Sequence, residues 1–217
     1  MQFLYNKNAG KPHLNLENEE ILHLKARRIR QNDCLKLRNL EDDFLYEYEL
    51  IKKDKKSCKL ILLSQSFCPT PQSSVNLALA VIDVKILEKI VPFLNELGLL
   101  KLILVWSEYS QRNFQPDFSR LNKILICSCQ QCGRAKKMEL ESFFNVKDFL
   151  ERYPKAILVD FKADSGQFDK DALYFIGPEG GFSEKERQMF HKKFALKTSN
   201  ILKSHSAALA VAAKILL

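Results

Sequence analysis

Glycine is scarce in this chain, at seven in 217 residues, about half of ordinary usage. Long apolar runs are missing altogether. No stretch reaches the roughly 20 residues needed to cross a bilayer as a helix, which excludes a helical membrane span. The opening Met1-Gln2-Phe3-Leu4-Tyr5-Asn6-Lys7 lacks the basic-then-apolar order of a secretory signal. A cytoplasmic chain is therefore expected. Its six cysteines, without that signal, are expected to be reduced thiols and not a disulfide framework. Three of them crowd into Cys127-Ser128-Cys129-Gln130-Gln131-Cys132, but a closed zinc site needs four ligands, usually in paired groups, and no second group exists. The expectation is no metal, with these cysteines acting as small packing residues on a helix.

What is present is positive charge. Lys and Arg number 34 against 26 Asp and Glu, for a net charge of +8. The excess is shared, +3 over residues 1–70 and +5 over 71–217. A field of that sign attracts polyanions, and each phosphate contacted releases counterions. A generically basic surface with no ligand is the alternative.

The segment Cys68-Pro69-Thr70-Pro71-Gln72-Ser73-Ser74 is the clearest break in the chain. Its prolines fix φ and remove donors, and its polar residues have nothing to bury. Ahead of it, Gln2–Asn6, Cys34–Arg38, Leu45–Ile51 and Lys59–Leu63 read as short strands, with one helix over about Glu17 to Ala26. That describes a small β-barrel or sandwich. Beyond it, Leu102–Trp106, Ala156–Asp160 and Ala172–Ile176 are continuous apolar runs suited to parallel strands covered on both faces. Amphipathic stretches alternate with them, about Val84–Leu97, Ser119–Cys132, Lys147–Arg152 and Ser183–Lys193. The result is an α/β domain with a mostly parallel sheet over 75–217, preceded by a domain over 1–68 and a linker over 69–74. Leu196–Leu202 is a further candidate strand. A last helix follows, N-capped by Ser204 and apolar nearly all round, so it must be buried, in this subunit or against another.

Three of the seven glycines fall within five residues, in Ile176-Gly177-Pro178-Glu179-Gly180-Gly181-Phe182-Ser183-Glu184-Lys185-Glu186. The cluster follows a buried strand and precedes a helix opened by Ser183 and Glu186, a capping box. Ligands of open α/β sheets sit at the carboxyl ends of strands, where glycine lets backbone amides approach closely. A Walker-type phosphate loop is excluded, since Phe182 follows Gly181 where Lys is required. The dinucleotide fingerprint GxGxxG is also absent. A tight turn with no ligand is the plain alternative.

This block resembles the signature of the RsmE family, SPOUT-class enzymes that methylate N3 of a uridine in 16S ribosomal RNA. Other segments are similar to the family pattern in the same order. They are His23-Leu24 with Arg27-Arg28-Ile29-Arg30 and Asp33, Glu96-Leu97-Gly98, Ser107-Glu108-Tyr109-Ser110, Gln131-Cys132-Gly133-Arg134 and Ile201 to Ala207. The chain departs from the pattern at Tyr109 and Lys203, each in place of Arg, at His205 in place of Glu, and at Phe93 in place of Lys.

The resemblance implies a PUA-like β-barrel that binds RNA, and a SPOUT methyltransferase domain whose last third forms a trefoil knot around S-adenosylmethionine. Three loops would converge on the cofactor. They carry Leu158 and Val159; Ile176, Gly177, Gly180 and Gly181; and Asn200, Ile201, Leu202, Ser204 and Ala207. Glu179, Arg134 and Lys203 become candidates for handling the N3 proton and the charge that develops. The basic clusters containing Lys25, Arg27, Arg28, Arg30, Lys52 and Lys53 are candidate RNA contacts. A homodimer is expected as well. Ala207 to Leu217 holds one charge, Lys214, and a two-fold partner would cover it, together with Val84–Leu97. Two other readings stay open: a SPOUT enzyme for another RNA nucleotide, and an RNA-binding protein without activity.

Overall fold

The computed structural model describes residues 2–17, 19–26, 28–54, 57–71 and 73–217; the side chains of Glu19, His23, Lys25, Ala26 and Lys53 are outside this description. Two compact units emerge: Met1–Pro71 with Ile126–Lys137, and Gln72–Leu125 with Met138–Leu217.

The first unit is a five-stranded sheet built from β1 (Leu4–Tyr5), β2 (His13–Glu17), β3 (Cys34–Arg38), β4 (Phe44–Lys53) and β5 (Ser57–Phe67), with α1 (Glu19–Ala26) after β2. The order is β1-β3-β4-β5-β2, so its two ends stay unpaired and the sheet curls as a half-barrel. Alternation in the sequence decides which face is covered. Leu14 and Leu16 of β2, Leu35 and Leu37 of β3, and Tyr46, Tyr48 and Leu50 of β4 all point into one core with Ile21 and Leu24 of α1. Register shifts near Glu47 and Leu50 bend the long β4–β5 hairpin. Ile126–Lys137 completes this unit. Cys129 packs with Phe3 and Leu40, and Gln130 accepts backbone hydrogen bonds from Gln2 (2.7 Å) and Tyr5 (2.9 Å). Of the three clustered cysteines only Cys129 is a packing residue, since Cys127 and Cys132 are exposed.

The second unit carries a six-stranded, wholly parallel sheet in the order β11-β9-β10-β6-β7-β8. In chain order the elements after the linker are β6 (Asn76–Ala80), α2 (Val84–Leu97), β7 (Lys101–Val105), α3 (Phe118–Cys132, whose residues from Ile126 on belong to the first unit), β8 (Glu139–Phe143), α4 (Val146–Arg152), β9 (Ile157–Val159), β10 (Tyr174–Ile176), α5 (Glu184–Met189), β11 (Lys192–Phe194) and α6 (Ser204–Leu216). Successive residues of β6 serve opposite faces. Leu77 and Leu79 join the core beneath α2 and α6, while Ala78 and Ala80 join Phe149 and Phe175 on the other side. Asp83 caps α2, accepting from the Lys85 and Ile86 amides at 2.8 and 3.1 Å. Gly98, at φ 100°, ends the helix in the left-handed conformation that glycine tolerates.

Three expectations change. Leu196–Leu202 is a loop, and the edge strand is Lys192–Phe194. Residues Ser183–Lys193 are not one helix, because α5 stops at Met189 and the chain turns extended at Phe190, which is buried with Phe175 and Phe182. Ser204 is the first residue of α6 and not its cap; Lys203 takes that position without a side-chain bond. Within this chain α6 is covered on one side. Ala207, Ala208, Val211, Ala212 and Ile215 are buried, whereas Leu209, Ala210 and Ala213 remain half-exposed.

Candidate functional site

Within the second unit, a cavity of about 370 Å³ opens at the carboxyl ends of β9 and β10. Three chain segments form it. Val159, Asp160 and Phe161 follow β9. Ile176 to Phe182 follow β10. Leu196, Thr198 and Asn200 to Leu202 lead into α6, whose Ser204 and Ala207 close the wall.

The glycine loop is shaped by contacts that exclude side chains. A Cβ on Gly177 would meet the Phe182 ring at 2.8 Å, closer than such atoms approach. Gly181 has a φ of 71°, a region that favours glycine. A Cβ there would find only Arg187 Nη2, at 3.8 Å, and would otherwise stand in open space. The cavity thus reaches the backbone itself. After the loop, Ser183 and Glu186 form the expected capping box, with Ser183 Oγ accepting from the Glu186 amide and Glu186 Oε2 accepting from the Ser183 amide. Glu186 also reaches beyond its helix. Its Oε1 accepts from the Glu108 amide at 2.8 Å, fastening the turn Ser107–Ser110 to the start of α5.

Alongside the loop, Arg187 pairs with the buried Asp160 carboxylate, donates through Nε to the Phe182 carbonyl at 3.1 Å, and lies 5.9 Å from the Phe161 ring centroid. The cavity is therefore lined by apolar residues (Val159, Ile176, Leu196, Leu202, Ala207) and by polar ones (Asp160, Glu179, Arg187, Thr198, Asn200). A flat heterocycle suits the first and a zwitterion the second.

Most of the residues singled out for the cofactor meet here: Val159, Ile176, Gly177, Gly180, Gly181, Asn200, Ile201, Leu202, Ser204 and Ala207. Leu158 does not line the cavity and is fully buried in the sheet core. Glu179 is on the wall and exposed; Lys203 is exposed at the start of α6 but is not among the lining residues. Arg134 belongs to the first unit, where burial holds its guanidinium below its ordinary range, partly offset by Cys129 and Cys132. His205 stands in the first turn of α6 with Nδ1 buried and no hydrogen-bond partner among the described residues. Asp160 ends the strand expected at the cofactor, Leu158–Asp160, but sequence reasoning misses its pairing, and misses Phe161 and Arg187 altogether. The paired charges are 27 positions apart, and no local pattern joins them.

In the first unit, the segment after α1 is tied to β4. The Asn32 amide donates to the Leu50 carbonyl (2.8 Å), and the Leu50 amide donates to the Asp33 carbonyl (3.1 Å). The two basic clusters are thereby brought to the same part of the sheet. Arg28, Arg30 and Lys52 are exposed. Lys52 pairs with Asp54 at 3.3 Å, an exposed contact of little energetic weight. Arg27 and the side chains of Lys25 and Lys53 lie outside the described residues. No group of three His, Cys, Asp or Glu that could hold a metal occurs among the described residues, and no described helix is long and apolar enough to cross a membrane.

A half-barrel unit, followed along the chain by a parallel sheet with this cavity, defines an RNA methyltransferase of two-domain type. The family described as RNA methyltransferase domain matches residues 69–216, and that described as RNA methyltransferase PUA domain matches residues 16–63. More narrowly, the chain belongs to the ribosomal RNA small subunit methyltransferase E family. It is 44% identical over 223 residues to the Helicobacter pylori member, covering 98% of each chain. To the Aquifex aeolicus member it is 25% identical over 206 residues, covering 89% of this chain and 88% of that one. The crystal structure of the Neisseria gonorrhoeae ribosomal RNA small subunit methyltransferase E, bound to S-adenosylmethionine, superposes with a TM-score of 0.83 at 20% identity. It covers 98% of this chain and 95% of that one.

Proposed function

We propose that this chain transfers a methyl group from S-adenosylmethionine to N3 of a uridine in 16S ribosomal RNA, in the cytoplasm and on the small ribosomal subunit or its RNA. The observation that carries this reading is the cavity itself: three loops at the carboxyl ends of β9 and β10 expose backbone at Gly181 among both apolar and charged lining residues. Family membership supplies the substrate class. The trefoil knot belongs to the proposal and is supported by the order β11-β9-β10, in which the chain leaves β9, forms β10 and returns to pair on the far side of β9.

The apolar lining would take the adenine, and the loops holding Gly177, Gly180, Gly181, Asn200, Ile201 and Leu202 would supply backbone groups to the adenosine. The Asp160–Arg187 pair fixes the loop after β9 against α5 and so sets the width of the cavity. Bound S-adenosylmethionine supplies an electrophilic methyl group, and transfer is an in-line displacement that depends mainly on positioning. The nucleophile is N3 of uracil, which must lose its proton as the new bond forms. Glu179 is the group assigned to accept that proton, and the Lys203 ammonium the group assigned to stabilise the charge that develops.

The basic clusters of the first unit, brought together by the Asn32–Leu50 and Leu50–Asp33 bonds, hold the RNA backbone. The functional division falls at residues 69–74, with RNA binding before it and catalysis after it. A two-fold partner covers the half-exposed side of α6. Calorimetric titration with S-adenosylmethionine tests the cofactor site. Mass spectrometry of 16S RNA from cells lacking this protein tests the substrate: a uridine loses one methyl group, and restoring the gene returns it. An unchanged methylation pattern defeats the reading.

A further inference from the structure

The glycine loop lines the cofactor cavity and is also seated against a second, tightly built turn. Ser107 and Ser110 are buried and close a tight turn. The Ser110 amide donates to the Ser107 carbonyl at 3.1 Å, and the Ser107 amide donates to Ser110 Oγ at 3.2 Å. Glu186 fastens the next amide, that of Glu108, to the start of α5. Three bonds therefore fix a four-residue turn whose tip carries Tyr109. That side chain lies along Gly180: a Cβ added to the glycine would sit 3.3 Å from Tyr109 Cβ and 3.7 Å from ring atoms Cγ and Cδ2. One side of the tyrosine is thus seated on the loop that lines the cavity, while the residue as a whole stays 52% exposed.

A large aromatic ring held rigidly and left half in water does little for the core. What it offers is a flat apolar face in a fixed position near a cavity, which is the requirement for stacking an unpaired base. The neighbouring charges select a base over a phosphate. Glu108 and Glu179 are both exposed, one adjoining Tyr109 in the turn and the other adjoining Gly180 in the loop. They would repel an anionic backbone, whereas a neutral pyrimidine is not repelled.

We propose that Tyr109 is the surface on which the target uracil stacks once it leaves its RNA helix, placing N3 toward the cavity; this rests on the methyltransferase reading above. Tyr109 acts here as a substrate-positioning residue, taking no part in proton transfer. Extrusion of the base costs stacking energy inside the RNA, and a ring in the receiving site returns part of it.

The test uses the full-length protein and small ribosomal subunits from cells lacking it. Three variants are compared: Tyr109→Ala, Tyr109→Leu, which refills the space against Gly180 without a π face, and Tyr109→Phe. The alanine and leucine variants should both raise KM for the RNA substrate by about tenfold, the range expected when one base no longer stacks. Their dissociation constant for S-adenosylmethionine and their melting temperature should stay within error of wild type. Tyr109→Phe should recover most of the loss. An unchanged KM in the alanine variant overturns the proposal, as does a leucine variant that behaves like wild type, because the role would then be packing. Loss of S-adenosylmethionine binding in either variant also overturns it, in favour of a role in shaping the loop. If the wild-type protein itself methylates no ribosomal RNA, the parent reading fails as well, and the wild-type control separates that outcome from the others.

Discussion

At Gly181 a φ of 71° and open space beyond Cα place the backbone at the cavity surface. Valine there would add strain of about 1–3 kcal/mol and fill the approach. Gly181→Val is expected to abolish S-adenosylmethionine binding in calorimetry while circular dichroism still shows a folded protein; normal binding would reduce the loop to a turn. Gly177 should respond differently. Its missing Cβ is the space of the Phe182 ring, itself wedged among Phe175 and Phe190, so Gly177→Ala overpacks the core and should cost about 1–3 kcal/mol in denaturant unfolding. A third residue sets an alkaline limit. Burial, then a 2.8 Å hydrogen bond donated to Asp42, pushes the Tyr46 hydroxyl from 10.0 up to about 12. A raised pKa in the folded state gives stability that is complete below the ordinary value and is lost as pH climbs through the raised one. Unfolding midpoints should therefore fall between pH 10 and about 12, and Tyr46→Phe should make that fall shallower. The glycine cluster was legible because three glycines in a glycine-poor chain stand out by themselves. Phe161 and Arg187 were not, nor was the pairing of Asp160 with Arg187, since these meet only across the fold.

Among the elements, α5 is the shortest helix and depends most on its cap. Glu186→Ala removes the acceptor of the Ser183 amide and leaves the Glu108 amide unpaired near it. The expected loss is about 2 kcal/mol, the cost of a cap plus an orphaned donor, with faster hydrogen exchange at the Glu108 amide as its local signature. Unchanged exchange there would mean that the turn closes without Glu186. The strands show what patterning carries. β7, β9 and β10 were readable because both of their faces are covered, so their sequences are unbroken apolar runs. β6 is rich in alanine, a weak strand former, and closely follows the proline linker. β8 alternates with Glu139 and Glu141, which pair with Lys101 of the neighbouring strand at 3.4 and 3.2 Å. β11 has three residues, two of them lysine. These strands exist because a neighbour in the sheet accepts their hydrogen bonds, information that no local window contains.

For the whole molecule, the charge of +8 becomes a measurable salt dependence. Reversing Arg28 and Arg30, or Lys52 and Lys53, should weaken RNA binding and lower the slope of log affinity against log salt by about one for each phosphate no longer neutralised. Affinity for free S-adenosylmethionine should not change, and an unaltered slope would make these residues ordinary solvated surface. Light scattering at micromolar concentration should return the mass of a dimer, and a monomer with full activity would leave the outer side of α6 as plain surface.

One helix, α3, links these scales in time. Its first turns, with Leu121 and Leu125, pack into the second unit, while Ile126 and Cys129 near its end pack into the first. The first unit thus has a piece of its core more than fifty positions beyond the end of its last strand. A ribosome releases the chain from the amino end, and the usual order is for the leading domain to fold while the trailing one is still being made. In this protein that order completes the larger core, which includes Leu16, Leu37, Tyr48 and Leu60, but leaves one smaller cluster open. After residue 71 has emerged, Phe3 and Leu40 still have no Cys129 to cover them, and they must wait until the α/β unit is more than a third written. A fragment ending at residue 71 should accordingly bind dyes that report exposed apolar surface, while one extended to residue 137 should do so much less.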